Sequence, residues 1–274
     1  MQSRILVLPL IPLLVILAGC DLYDFGDLSR FKEDFHQSHP LKPGGRLYLE
    51  NLNGSVQISG WDQETADIGG TKYATSEAAL QALRIDIVAS GDSIRVSTRR
   101  PSERRGSMGA SYVIRVPRRT ALERIETSNG SIQVTDIDAP ARLVTSNGRV
   151  SAERVLGGLE ATTSNGGIRA LLNKLEERRP VRLTTSNGSV DLTAEYLANN
   201  DVTVTTSNGS ITLRLPASLA ARVEASTSNG SITSDFDVDG QSREGKNRLQ
   251  GTIAGGGPAM RLATSNGNIR LLRQ

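Results

Sequence analysis

The stretch Ile125-Glu126-Thr127-Ser128-Asn129-Gly130-Ser131-Ile132-Gln133-Val134 decides the fold. Its core, Thr-Ser-Asn-Gly, occurs seven times, ending at Gly130, Gly148, Gly166, Gly188, Gly209, Gly230 and Gly267. An eighth, degenerate copy reads Asn51-Leu52-Asn53-Gly54. From Gly130 to Gly230 the successive spacings are 18, 18, 22, 21 and 21 residues. Self-similarity at such a period is the mark of stacked repeats.

Counting from each glycine gives the register. Five positions before it stand Ile125, Leu143, Ala161, Leu183, Val204, Ala225 and Leu262, all apolar. Two positions after it stand Ile132, Val150, Ile168, Val190, Ile211, Ile232 and Ile269, all β-branched. The period is two on both sides of the phrase, which is the strand signature. Two structures place side chains inward on both sides of Asn-Gly: a hairpin with a type I′ turn, or a corner in a β-solenoid. Repeat length favours the solenoid, because each unit supplies two short strands and two corners. Near-constant spacing also lets identical corners stack at strand separation, about 4.8 Å.

The expected fold class is therefore all-β, a repeat β-solenoid with 18–22 residues per coil. Its structural corners are Asn53 and Gly54, Asn129 and Gly130, Asn147 and Gly148, Asn165 and Gly166, Asn187 and Gly188, Asn208 and Gly209, Asn229 and Gly230, and Asn266 and Gly267. In this reading Gly takes a left-handed backbone and Asn tolerates it. Asn also bonds along the stack, Thr fills the inner edge, and Ser faces out.

Departures from the period mark insertions. Leu171 to Arg179 reads as a short charged helix before Pro180, and Ala217 to Ala221 as a small excursion. One corner between Gly230 and Gly267 has lost its phrase, and Gly255-Gly256-Gly257-Pro258 makes a turn there. The last coil would form the end of the stack, with Arg270 and Arg273 guarding its open edge. Upstream, Arg46–Glu50 and Ser55–Ser59 alternate as strands around the degenerate corner. Trp61 reads as a packing anchor. Ser76–Leu83 reads as a capped helix, and Ile85–Ala89, Ser93–Thr98 and Tyr112–Val116 as strands.

The N-terminus carries a targeting signature. Arg4 precedes an apolar run that ends in Leu17-Ala18-Gly19-Cys20. This resembles the lipobox of bacterial lipoproteins, which implies removal of residues 1–19 as a signal peptide and lipidation of Cys20. Two or three acyl chains would anchor the chain in a membrane. Cys20 is the only cysteine, so no disulfide forms within the chain. Asp21 resembles an inner-membrane retention signal, and an outer-membrane position stays open. Residues 20–44 read as a polar tether closing at Pro43-Gly44-Gly45 and holding His36 and His39, a solvated pair. Residues 45–120 then form an N-terminal β unit continuous with the regular solenoid of 121–274.

Few residues suggest chemistry. Both histidines fall in the tether and no cysteine remains, so Ser-His and Cys-His nucleophile systems are not expected. Asp235, Asp237, Asp239 and Gly240 imitate half of a calcium loop, but Lys246 occupies the twelfth position, where a carboxylate is needed, and Phe236 and Val238 instead continue the strand alternation. No metal and no cofactor are expected. Outward carboxylates such as Glu126 and Asp191 do not cluster, and the sugar-stacking aromatics are few beyond Tyr112, with Tyr196 and Phe236. The net charge of +3 gives no concentrated basic face for nucleic acid. Arg99, Arg100, Arg104, Arg105, Arg118 and Arg119 flank a solvated loop.

The lipobox, the unit Leu49-Glu50-Asn51-Leu52-Asn53-Gly54-Ser55-Val56-Gln57-Ile58-Ser59-Gly60-Trp61 and the repeated phrase together resemble the bacterial "putative adhesin" family of β-strand-repeat proteins. The resemblance covers about residues 45–274. It implies a β-helical domain of the cell envelope and supplies no catalytic residues. The expected function is that of a non-enzymatic, lipid-anchored adhesin, scaffold or ligand-display protein facing the periplasm. Its partners would be the membrane, through the anchor, and an envelope protein or polysaccharide. Two alternatives stay open: a carbohydrate-active β-helix enzyme, and a regulatory partner of an envelope signalling system.

Overall fold

The computed structural model describes residues 31–100, 107–176, 178–197, 199–242 and 245–274. The lipobox, Cys20, Asp21, Arg104 and Arg105 lie outside the described residues. The N-terminal part comprises β1 (Phe31–Pro40), β2 (Arg46–Asn53), β3 (Val56–Trp61), β4 (Thr65–Ala74), α1 (Glu77–Ala82), β5 (Arg84–Ser90), β6 (Ser93–Arg99) and β7 (Met108–Pro117). Five regular coils follow: β8 (Ala121–Asn129) with β9 (Ile132–Ile137), β10 (Ala141–Asn147) with β11 (Val150–Val155), β12 (Leu159–Asn165) with β13 (Ile168–Lys174), β14 (Val181–Asn187) with β15 (Val190–Tyr196), and β16 (Val202–Asn208) with β17 (Ile211–Leu215). The C-terminal part is β18 (Ala221–Asn229), β19 (Ile232–Ser234), β20 (Asp239–Ser242), β21 (Arg248–Ile253), β22 (Ala259–Asn266) and β23 (Ile269–Arg273).

Strands on the two sides of each corner belong to different sheets. One sheet has 11 strands in the order β1-β4-β7-β3-β9-β11-β13-β15-β17-β23-β19. The other has 12, in the order β20-β21-β18-β22-β16-β14-β12-β10-β8-β2-β6-β5. Neighbouring coils pair in parallel and in phrase register: Asn129, Asn147, Asn165 and Asn187 face one another across successive strands. This is a solenoid, and the hairpin alternative is absent at these corners. Between the sheets lies one continuous core, with Ile125, Ile132, Leu143, Val150, Leu183 and Val190 wholly buried. Ala152 and Ala170 stand opposite each other in register, and with Ala161 they make the coil thin there.

Four expectations need correction. Residues 31–40, assigned to the tether, form β1, paired antiparallel with β4 along ten positions. Neither face of β1 is deeply covered, with only Phe35 and His39 half-buried, so its sequence has no apolar alternation to announce it. Its backbone ladder with β4 holds it. The segment after Leu171 is not helical: β13 continues to Lys174. Leu172 and Leu175 point into the core and continue its inward row. Phe236 and Val238 are buried, but in a bend outside the strands rather than in strand alternation.

The fourth correction concerns the end of the stack. The last coil in the chain, β22 with β23, is not the last in space. It lies between β16–β17 and β18–β19, parallel to both. At the other end, β2–β3 lies between β6–β7 and β8–β9. The outermost coils then carry antiparallel covers: β1, β4 and β5 at one end, β20 and β21 at the other. Arg270 and Arg273 therefore sit on an internal strand, and Arg273 stacks 5.2 Å over Phe236.

Candidate functional site

The seven copies of the phrase, the strongest signal in the sequence, lie at the corners between the two sheets. Thr127, Thr145, Thr163, Thr185, Thr206, Thr227 and Thr264 are all buried. Each hydroxyl donates to a glycine carbonyl of the adjacent coil, over 2.8–3.1 Å. The asparagines form a single ladder in the spatial order 53, 129, 147, 165, 187, 208, 266, 229. Each Nδ2 from Asn129 onward donates to the preceding Oδ1, over 2.7–2.9 Å. Asn53 caps the ladder by donating to the Met108 carbonyl at 2.8 Å. Ser146, Ser164, Ser186, Ser207, Ser228 and Ser265 are exposed.

The glycines are there for a different reason from the one expected. Among the corners only Gly54 has a left-handed backbone, at φ +121°. At the seven full copies a Cβ would lie 2.0–2.1 Å from a glycine carbonyl oxygen of the neighbouring coil. Close approach of backbones, not positive φ, requires glycine. The corners are thus consumed by stacking.

Chemistry concentrates instead where β1, β4 and β7 meet. Gly69 and Gly70 leave a solvent-open hollow of about 550 Å³, bordered by Asp34, Phe35, His36, Asp67, Val113 and Arg115. At Gly70 a Cβ would meet the Ser111 carbonyl at 2.0 Å and the Phe35 ring at 3.0 Å. Asp67 stands at the centre, its side chain only 13% exposed. His36 Nε2 pairs with its Oδ1, and Arg115 donates to its Oδ2 at 2.8 Å. Arg115 in turn lies 4.8 Å over the Trp61 ring, and the indole N–H donates to the Thr65 carbonyl at 2.8 Å. Burial alone would raise the Asp67 carboxyl, but the hydrogen bonds and charges of Arg115 and His36 outweigh it and hold the group below its ordinary value. Thr71 donates to Asp34 at 2.6 Å, and Lys72 meets Glu33 at 2.8 Å. These contacts fasten β1 to β4.

Behind the hollow lies a buried polar chain. Phe35 packs edge-on against Tyr112 at 5.5 Å. The Tyr112 hydroxyl meets Thr98 Oγ1 at 2.6 Å, and Thr98 donates to Asn51 Oδ1 at 2.9 Å. Asn51 Nδ2 donates to the Ala110 carbonyl at 2.9 Å. Asn51 occupies the place of the phrase threonine, and it replaces one hydroxyl bond by this network. Burial pushes the Tyr112 phenol up to about 12.

This arrangement corrects the expectation that no histidine lies in the folded region. His36 is part of a sheet, yet Asp67 is its one hydrogen-bond partner among the described residues, so no nucleophile is joined to it. His39 meets Gln37 at 3.2 Å. Among the described residues no three potential ligands gather for a metal. Of the other singled-out residues, Glu126 pairs with Arg124, and Asp191 approaches Arg214 at 4.0 Å. Arg99 pairs with Asp86 at 3.3 Å, and Arg118 bridges Asp62 at 3.0 Å and Asp136 at 3.3 Å. Two of the six arginines that flank the loop, Arg99 and Arg118, are thus held in local ion pairs. The sequence conceals the β1–β4–β7 site because β1 carries no apolar alternation to mark it as a strand. Gly69-Gly70 beside Asp67 was the available signal.

Fold and site together define a two-sheet parallel β-solenoid whose repeat phrase is structural. Residues 181–272 match the family model described as Toastrack DUF4097. The match spans about the C-terminal third of the chain, the part from β14 to β23. No curated protein matches the chain. Among solved structures, it is similar to a "putative cell adhesion protein" from Clostridium sporogenes, at 15% identity and TM-score 0.38, over 88% of this chain and 100% of that one. It is similar to a "putative adhesin" from Bacteroides fragilis, at 12% identity and TM-score 0.35, over 88% and 97%. A "putative lipid binding protein" from Parabacteroides distasonis shows 11% identity and TM-score 0.40, also over 88% and 97%. Likenesses this weak carry no functional argument.

Proposed function

We propose that the chain is a non-enzymatic, lipid-anchored display protein of the cell envelope, adhesin-like in architecture, whose outward faces meet an envelope protein or polysaccharide. One observation carries this reading. The buried threonines, the asparagines and the close-packed glycines of the phrase are bonded or fitted to the adjacent coil. The repeat therefore builds a long rigid support, and only its outward rows are left to interact. The described support reaches back to Phe31, so at most ten residues separate it from Cys20. At full extension those residues reach no more than about 35 Å. In this reading the display body stays near the membrane surface, on the inner membrane if Asp21 acts as a retention signal.

Cys20→Ser tests the anchor. The native chain should take up labelled palmitate and sediment with membranes, and the variant should do neither. Equal sedimentation of both would overturn the anchor. Incubating the native protein with envelope polysaccharides tests the other half. Binding without release of fragments is expected, and fragment release lost in an Asp67→Asn or Glu126→Gln variant would replace the display reading by an enzymatic one.

A further inference from the structure

The eight Asn-Gly steps are chemically identical in sequence, but the ladder makes one of them different. Asn-Gly is the dipeptide most prone to deamidation. The glycine nitrogen attacks the asparagine Cγ, ammonia leaves, and the five-membered succinimide opens with water to aspartate or isoaspartate. The attack needs a free glycine N–H, an asparagine side chain able to turn, and a backbone able to follow it.

Within the ladder each asparagine side chain is held at both its donor and its acceptor end, and most of the glycine amides are engaged as well. Asn147, for example, donates to Asn129 at 2.7 Å and accepts from Asn165 at 2.8 Å. Its backbone carbonyl accepts from Gly130 N at 3.0 Å, and Gly148 N donates to the Asn165 carbonyl at 3.1 Å. The amides of Gly54, Gly130, Gly148, Gly166 and Gly209 are all engaged with the next asparagine carbonyl. The side-chain Oδ1 of each ladder asparagine except Asn229 accepts from its neighbour.

Asn229 is where the ladder stops. It donates to Asn266 at 2.8 Å, but its Oδ1, alone in the ladder, has no partner among the described residues, and the Gly230 N–H, like those of Gly188 and Gly267, is not engaged there either. Gly230 is also the one exposed glycine of the eight corners. No further coil lies beyond it: β19 is the edge of its sheet, and although the Lys246 and Asn247 carbonyls accept from Ile232 N and Thr227 N on either side of the corner, neither reaches the Asn229 side chain. We infer that Asn229 is a site of spontaneous modification in this protein, deamidating through succinimide while the interior steps are held.

The product would act on the structure. A carboxylate at Asn229 cannot donate to Asn266 Oδ1, so two acceptors would face each other. Isoaspartate would also add a methylene to the corner backbone and disturb the pairing of β19 with β23.

The test is incubation of the intact protein at pH 8 and 37 °C, with timed peptide mapping by mass spectrometry that separates isoaspartate. A urea-unfolded sample serves as the reference for intrinsic rates. Folded Asn229 should deamidate about tenfold or more faster than Asn147, Asn165 and Asn187, because opening at an end costs less than opening inside the stack. In urea the eight rates should converge. Asn229→Gln should remove the fast phase from the folded protein. An interior step as fast as Asn229, or a folded Asn229 as slow as the interior set, would overturn the inference.

Discussion

In the middle of the stack, coils that touch are consecutive in the chain, whereas at both ends they are not. From β8 to β17 each coil lies on the one made just before it. At the ends, β2–β3 and β22–β23 slide one place inward, and β6–β7 and β18–β19 become outermost. The middle is held by one repeated set of bonds. The ends use local solutions: Asn51, Thr98 and Tyr112 with strap β1 at one end, the β20–β21 hairpin at the other. Repetition supplies length, and departures from repetition close it. An unprotected sheet edge is a template for unwanted pairing, and here the first and last coils of the chain are shielded by later or earlier ones.

The sharpest way to break this contrast is a methyl group. Gly148→Ala places a Cβ 2.1 Å from the Gly130 carbonyl oxygen. Neither backbone can move without disturbing the coil beyond it. The expected cost exceeds about 3 kcal/mol, at the upper end of overpacking penalties, and soluble yield should fall. Gly91→Ala, in the β5–β6 turn, meets nothing within 4 Å but keeps φ +56°, so about 1–2 kcal/mol is expected. Urea unfolding of the two variants checks the ranking. Equal losses would mean that the corner glycines serve backbone conformation after all.

The polar interiors of the two regions differ less steeply. Thr163→Val removes one donor to the Gly148 carbonyl, a 2.9 Å bond, for about 1 kcal/mol. Thr98→Val severs both the 2.9 Å bond to Asn51 and the 2.6 Å contact with Tyr112, so about 2 kcal/mol is expected. The same urea titrations, compared with Tyr112→Phe, show whether the cap network is the more demanding of the two.

How much of this was legible follows from the same contrast. Period-two alternation around each Asn-Gly declares inward rows such as Leu183 and Val190, because a thin two-sheet body must bury one side of every strand. Coil order at the ends was not legible. Asn229 and Asn266 sit in the same phrase, so either coil fits against β16–β17 by local pattern. β1 was hidden because Lys32, Glu33, Asp34 and His36 suit an exposed edge strand as well as a tether. That concealed the candidate site, whose ion pairs join β1 to Asp67 and Lys72. The glycine requirement was legible as a residue and misread as a cause, since a collision between stacked backbones does not show in one repeat.

The ladder and its end differ by one bond at Asn229. Asn165→Ala gives up a donor bond to Asn147 and an acceptor bond from Asn187, at 2.8 and 2.9 Å. Asn229→Ala gives up only the 2.8 Å donor bond to Asn266. With partly exposed bonds near the lower end of 0.5–1.5 kcal/mol each, the losses should be about 1 and 0.5 kcal/mol. Thermal melts under identical conditions separate them.

Acid gives the smallest effect and the one that distinguishes the regions most cleanly. The ladder contains no titratable group. Among the described residues, the carboxyls held below their ordinary value are Asp67, through Arg115 and His36, and Asp136, through Arg154 and Arg118. Both belong to the N-terminal part or the coil next to it. A carboxylate with a depressed folded value adds stability above its unfolded value of about 3.9, and that contribution is lost as pH falls through the folded value. Below about pH 4 the β1–β4 pairing should therefore loosen before the central coils do. Hydrogen exchange compared between pH 6 and pH 3.5, after correction for intrinsic rates, should show protection falling in residues 31–40 while residues 141–147 keep theirs. Asp67→Asn should loosen β1 already at pH 6 and remove most of its further pH response. If both regions lost protection together, the strap would be part of the same cooperative unit as the ladder, and the contrast between repeated middle and improvised ends would hold for geometry but not for stability.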